Sequence, residues 1–182
     1  MSDGVFFIKE NNVITLGVPS NKISINEIAI ARKIEGQGWR MIQDKDTIFV
    51  LGGDYHPLRC LRLKQNGGRR AFNGIEKAEM KNPRSNHAVC LAAHDGRKFL
   101  YVTGADQKFG IKSSKGTERY DIARECWEKM PNLLRVRQSH ASCAHGDSIY
   151  VFCGLSNIWW TPDFIERLDT KRLSDGWQEI SI

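Results

Sequence analysis

The sequence predicts an all-β fold built from repeated four-stranded units, and three observations carry that expectation. Apolar, β-branched or aromatic runs of strand length (Ile48–Leu51, Phe99–Thr103, Ile149–Phe152) end at Gly52-Gly53, Gly104 and Gly154. Apolar and charged residues roughly alternate through Thr117–Ile122 and Phe164–Thr170, the period of two that suits a half-exposed strand. The same order of features also returns after about 50 residues.

The repeat is plainest in the C-terminal half. Arg84–Asn132 reads RSNHAVC, then KFLYVTGAD, then ERYDIARECWEKMP, and Arg137–Ile182 reads RQSHASC, DSIYVFCGL, IERLDTKRLSDGWQEI. Arg84 and Arg137, His87 and His140, and Cys90 and Cys143 each lie 53 positions apart. Tyr101 and Tyr150 are 49 apart, Asp121 and Asp169 48, Trp127 and Trp177 50, a drift that places short insertions in the connections. Turn signals fall between the runs at His94–Arg97, His145–Asp147, Asp44–Asp46 and Ser174–Gly176.

Toward the N-terminus the pattern fades. Thr47–Asp54 (TIFVLGGD) aligns with the Tyr101 segment, Leu61–Lys64 stands where ERYD stands later, and Ile75–Met80 takes the place of CWEKMP. Glu27–Ile42 echoes the Phe164–Ile180 stretch, with Trp39 in line with Trp127 and Trp177. Val13–Val18 reads as a degraded copy of the glycine-ended strand. Glu27–Glu35 has the composition of a short helix, but its place in the repeat argues for strand. The expected organisation is therefore one repeat domain, 1–182, with units near 4–42, 43–83, 84–132 and 133–182.

Composition narrows the function classes. The 182 residues are 41% hydrophobic and 26% charged, enough for a core, and no run approaches the roughly 20 apolar residues of a membrane helix. Met1–Glu10 lacks a basic start and a long apolar run, so no secretory leader is expected. Five separate cysteines without a CxxC pair favour reduced thiols and a cytoplasmic setting. Net charge is +6, with 18 Lys and Arg against 8 Asp and Glu over Arg59–Arg137. Acids such as Glu118, Asp121, Glu125 and Glu128 are interleaved there, as on a solvated surface, and no nucleic-acid-binding motif accompanies them.

R-x-x-H-x-x-C, an apolar-aromatic strand ending in glycine, E-R-x-D, W and M-P together resemble the kelch repeat. The resemblance implies one four-stranded blade of a β-propeller per repeat, hence three to four blades in an incomplete or irregular ring. Gly52, Gly53, Arg84, His87, Gly104, Tyr120, Trp127, Arg137, His140, Gly154 and Trp177 then become structural repeat positions. Two departures stand out: the glycine pair survives only at Gly52-Gly53, and the R-x-x-H segment is missing before Thr47.

His87, Cys90 and His94, or His140, Cys143 and His145, could suggest a metal site, but their recurrence with the repeat favours a packing role, and no metal is expected. No phosphate loop, nucleophile elbow or paired catalytic carboxylate is present, so neither catalytic residues nor a cofactor is assigned. Specificity is expected in the connections that differ between units. Asp106–Gly116 is basic with Phe109, Lys112 and Lys115; Leu155–Phe164 is neutral with adjacent Trp159 and Trp160, and these five residues are the expected partner contacts.

The resulting expectation is a non-enzymatic scaffold that binds a protein through loops on one face. The resemblance implies cytoskeletal or ubiquitin-ligase-related partners, although Met1–Met41 is too short for the BTB domain of family adaptors. Completion of the ring by another chain, or self-association, is a further expectation. Alternatives are an enzyme on a propeller scaffold, or an anion-binding surface at Lys108, Lys112 and Lys115.

Overall fold

The structure is a computed structural model, and it describes residues 4–9, 12–17, 22–30, 32–65, 71–105, 114–156 and 163–181. Strands β1 (Gly4–Lys9), β2 (Asn12–Gly17) and β3 (Ile23–Ala29) form an N-terminal antiparallel meander. Three four-stranded meanders follow, each running in chain order from its first strand to its last. They comprise β4 (Arg40–Asp44), β5 (Thr47–Leu51), β6 (Cys60–Gln65) and β7 (Ala71–Glu76); β8 (Ala88–His94), β9 (Arg97–Ala105), β10 (Ser114–Asp121) and β11 (Cys126–Met130); and β12 (Ala141–His145), β13 (Ser148–Phe152), β14 (Phe164–Asp169) and β15 (Trp177–Ser181). Apart from a single turn of 3-10 helix at Leu173–Asp175, the described elements are all strands.

The hydrophobic patterning explains how these units assemble. In β5 and β9 the second strand is largely apolar and buries both faces, so it must be covered on both, whereas Tyr150 and Phe152 of β13 are half-buried. Phe49 and Leu51 of β5 face Leu100, Val102, Tyr120 and Trp127 of the next unit in one core. Phe99 and Tyr101, on the opposite face of β9, meet Ile149, Val151, Leu168 and Trp177 in another. Ile48 and Val50 turn the other way, onto Phe6, Val13 and Ile28 of the N-terminal meander. The four units therefore stack face to face in chain order, each interface sealed by alternate residues of a strand.

The first unit departs from the expected four strands. It has three, and β3 pairs in parallel with the outermost strand of the second unit over Glu27–Ala29 and Ala71–Asn73. The seven strands thus form one hydrogen-bonded sheet that folds back on itself, with its halves in contact through the Phe6, Val13 and Ile28 cluster. Strand β4 crosses the 42/43 boundary expected between the first two units.

The fourth strand of the second unit lies earlier than Ile75–Met80. Register places Gly74 opposite Leu63, as Trp127 is opposite Tyr120, so a glycine holds the tryptophan position. A Cβ on Gly74 would lie 1.9 Å from Cγ2 of Ile30, so the chain leaving the first meander occupies the space that Trp127 and Trp177 fill in later units.

Candidate interaction surface

The ends of the second strands organise one rim of the stack. Gly52 and Gly104 have φ of 60° and 62°, a left-handed conformation that suits glycine. A Cβ on Gly52 would meet the Arg84 carbonyl oxygen at 2.4 Å, and one on Gly104 would meet that of Arg137 at 2.3 Å. The rings of His87 and His140 crowd the same two glycines. Each glycine is therefore the point where the following unit's Arg-x-x-His segment presses on the preceding blade. Gly53 and Gly154 instead face their own unit's entry segment, at Gln37–Trp39 and Gln138–His140.

Arg84 and Arg137 are fully buried. Arg84 donates to the Gly104 and Gly116 carbonyls at 2.7 and 2.9 Å and to Glu118 at 2.9 Å. Arg137 repeats this with Cys153, Phe164 and Glu166 at 2.7, 2.9 and 2.8 Å. The carboxylates then accept from the connection between units: Glu118 from the Lys81 and Asn82 N–H groups, Glu166 from that of Leu134. A buried ion pair is tolerated when its remaining hydrogen-bonding capacity is used in this way. Trp127 and Trp177 seal the outer edge, donating to the Ala78 and Pro131 carbonyls at 2.7 and 2.9 Å, while Tyr120 stacks obliquely on Trp127 within the core.

The two histidines are held neutral. Burial foremost, then the charges of Arg84 and Arg40 and the neighbouring His140, keeps His87 well below the usual histidine range. Burial and the positive charges of Arg137, Arg40 and Arg84 bring His140 down to about 3. His140 Nε2 lies 2.9 Å from the Thr103 hydroxyl, so the ring links the second strand of one unit to the entry of the next. Neither histidine motif assembles a metal site, and no group of three or more His, Cys, Asp or Glu able to hold an ion occurs among the described residues.

Strands β5, β9 and β13 all end at this rim. Lys115 is exposed at the start of β10, and its carbonyl accepts the Leu133 N–H at 2.8 Å. Phe109, Lys112, Trp159 and Trp160 lie outside the described residues, as does Lys108. The corresponding connection of the second unit is fully described. There Tyr55 is 70% exposed, and Asp54 accepts a short hydrogen bond from the Ser85 hydroxyl of the next unit. Behind Tyr55 opens a groove of about 400 Å³ bordered by Arg32, His56, Arg59, Glu76 and Lys77. Arg59 is fixed by bonds to Glu76 and to the Arg32 and Lys33 carbonyls. The sequence reading does not single out this connection, although its Asp-Tyr-His-Pro run (Asp54–Pro57) directly follows the glycine pair.

The missing Arg-x-x-His segment proves to be present in altered form. Asn86 and Ser139, the third residues of the later segments, have φ of 52° and 51°, and Gly38 has φ of 74°. The Asn86 N–H donates to the Gly38 carbonyl, as the Ser139 N–H does to that of Asn86. Gly36–Trp39 is thus the second unit's counterpart, with Gly36 at the arginine position and Trp39 at the histidine position. Trp39 is consequently not equivalent to Trp127 and Trp177, although it too packs against a core.

Repeats in register, four-stranded meanders, glycine-to-arginine docking and face-to-face stacking together decide the architecture. The chain is a partial kelch-type β-propeller. Kelch-like protein 40 of Xenopus laevis is 24% identical over 141 residues, 78% of this chain and 22% of that protein. Kelch repeat and BTB domain-containing protein 2 of Ectromelia virus (strain Moscow) is 35% identical over 71 residues, 38% of this chain and 13% of that protein. The chain thus spans under a quarter of the length of these relatives. No family model matches it. Among solved structures, YjhT superposes with a TM-score of 0.68 at 13% identity, covering 99% of this chain and 65% of YjhT, a likeness of fold. No helix among the described residues is long and apolar enough to cross a membrane.

Proposed function

We propose that this kelch segment is a protein-interaction scaffold that binds a protein partner through the connections at the glycine end of its blades. The observation that supports this most is Tyr55, a large aromatic side chain left 70% exposed beside a groove with charges of both signs. An exposed aromatic beside arginine and acid is the composition of an interface centre, and here it is held on a rigid connection by the Asp54–Ser85 bond. Phe109, Lys112, Lys115, Trp159 and Trp160 belong to the equivalent connections of the next two blades and extend the proposed surface by composition. The buried Arg84–Glu118 and Arg137–Glu166 pairs tie down residues on either side of those connections, at Gly104 and Gly116 and at Cys153 and Phe164, and take no direct part in binding.

The test is affinity capture from cell extract with the wild-type chain, Tyr55→Ala, and a Lys115→Glu/Trp159→Ala/Trp160→Ala variant, each first checked for native circular dichroism. Proteins retained by the wild type and lost with both variants support the proposal. An identical set on all three baits counts against it.

A further inference from the structure

In the third and fourth blades the buried arginine meets a glutamate that lies opposite a valine of the second strand, Glu118 opposite Val102 and Glu166 opposite Val151. In the second unit these two positions are held by Gly36 and Leu61, the latter opposite Val50 and fully buried. Both members of the ion pair are therefore missing together. Arg59 takes over the tether: it bonds Glu76 and donates to the Arg32 and Lys33 carbonyls at 2.6 and 2.8 Å. A cation thus holds this connection, where a carboxylate holds the later ones.

The room left at residue 36 is used by an aromatic ring. Gly36 has φ of 76°, and a Cβ there would lie 2.7 Å from Cε2 of Tyr55 and closer still to Cδ2. The Tyr55 ring therefore rests directly on the glycine main chain, although the residue as a whole is 70% exposed. The glycine at this position seats the ring as well as sparing the backbone a left-handed side chain.

The charges bordering the adjoining groove are largely spent. Arg59 uses all three guanidinium nitrogens, Glu76 accepts from it, and the Lys77 ammonium lies 2.6 Å from Glu125. Of the other charged residues lining it, Arg32 and Glu79 are exposed and of opposite sign. What the groove offers a guest is the Tyr55 ring, Pro57, Leu58 and the fixed, planar guanidinium of Arg59, around a space of about 400 Å³. Planar groups of this kind stack on aromatic rings, and a lining whose charges balance gives no advantage to a strongly acidic or basic guest. The groove also runs into the rim that carries the variable connections, so a protein bound there passes its mouth.

We propose that Gly36 positions Tyr55 as the fixed wall of a slot that takes an aromatic side chain of the protein partner. This rests on the rim-binding reading above and names the chemistry of one contact within it. Gly36 is a positioning residue: it acts only through the ring that it seats.

The test is an NMR titration of the full chain with the N-acetyl amides of tryptophan, arginine and aspartate, using wild type, Gly36→Ala and Gly96→Ala. Gly96, in the turn between β8 and β9, has φ of 70° and nothing near its Cβ direction, so Gly96→Ala imposes the same backbone strain without a collision. The tryptophan probe is expected to shift the Tyr55 and Leu58 amide signals of wild type and Gly96→Ala alike, equally at about 0.05 and about 0.5 M sodium chloride. It should bind Gly36→Ala about tenfold more weakly, the loss of one aromatic contact. No shift with the tryptophan probe, preference for a charged probe, a steep salt dependence, or equal binding by Gly36→Ala would each overturn the slot. Capture from cell extract separates the two readings. Partners lost with Tyr55→Ala but fully kept by Gly36→Ala overturn the slot alone, whereas an identical set on all baits overturns the rim-binding reading.

Discussion

The Ser139 N–H donates to the Asn86 carbonyl at 2.8 Å, joining the entry segments of two successive blades through residues that both have positive φ. Asn86 in turn donates to Gly38, so three units are linked by one backbone contact used twice. The side chains around this line have diverged, from Gly36 and Trp39 in the second unit to Arg137 and His140 in the fourth. The docking geometry has not diverged, because it is made by main-chain groups and by space reserved at glycine. That contrast leads to four predictions.

The same rim position should respond in opposite ways in two blades. Gly104→Ala adds a Cβ 2.3 Å from a backbone carbonyl at a φ of 62°, and a loss of about 2–4 kcal/mol is expected. Cys153→Gly removes a side chain from a φ of 58° at an exposed site and should gain about 0.5–1 kcal/mol. Urea denaturation of both variants against wild type decides it. Equal effects would mean that the fourth-blade rim is packed as the third is.

The Arg137–Glu166 pair is fully buried at 2.8 Å. Glu166→Ala leaves an uncompensated guanidinium and strips the Leu134 N–H of its acceptor, costing about 3–5 kcal/mol. Arg137→Ala should cost a similar amount, and the double variant distinctly less than the two together. Simple additivity in the double-mutant cycle would show that the two residues act independently.

Stability should fall on mild acidification. His87 and His140 bind protons in the unfolded chain near pH 6.5 but stay neutral in the fold until much lower pH. Below about pH 6.5 the unfolded state therefore takes up more protons, and folding weakens by about 1.4 kcal/mol per pH unit for each histidine. Their contribution is fully present above the unfolded value and is lost as pH falls toward the folded ones. Urea midpoints at about pH 7.5 and about pH 5.5 should differ accordingly, and His87→Gln should reduce the difference. A flat profile would contradict the buried, neutral state of both rings.

Thiol reactivity should divide the five cysteines. Burial pushes the Cys60 and Cys90 thiols up to about 12, while Cys143 and Cys153 are exposed. Labelling of the native chain at low concentration, read by peptide mass spectrometry, should modify Cys143 and Cys153 first and spare Cys60 and Cys90 until denaturant is added. Rapid native labelling of Cys90 would mean that the third and fourth blades do not stay docked.

Much of the scaffold was legible before any coordinates. The strand runs around Phe49, Tyr101 and Tyr150, the turns between them and the pairing of Arg84 with Arg137 all follow from local pattern. The partners of those residues did not. Glu118 and Glu166 read only as repeated acids, because each lies 34 or 29 positions along the chain from its arginine. Trp39 aligns with Trp127 and Trp177 in the sequence because tryptophan is a strong marker, whereas its true correspondence, with His87 and His140, is visible only in the backbone. The Tyr55 groove is not legible in the sequence, because its connection lacks the clustered aromatics and lysines of Asp106–Gly116 and Leu155–Phe164.

The sequence by itself determined the repeat, its period and the strands, since alternation of apolar and polar residues is a local property that survives drift in spacing. Tertiary structure alone decided that the first unit would be a three-stranded meander folded onto the second, with Ile30 in place of a tryptophan. It also decided that Cys153, at a φ of 58°, would hold the rim position that Gly52 and Gly104 hold in the earlier blades. Those outcomes depend on which sheets come face to face, and space between packed sheets is set by residues far apart in the chain.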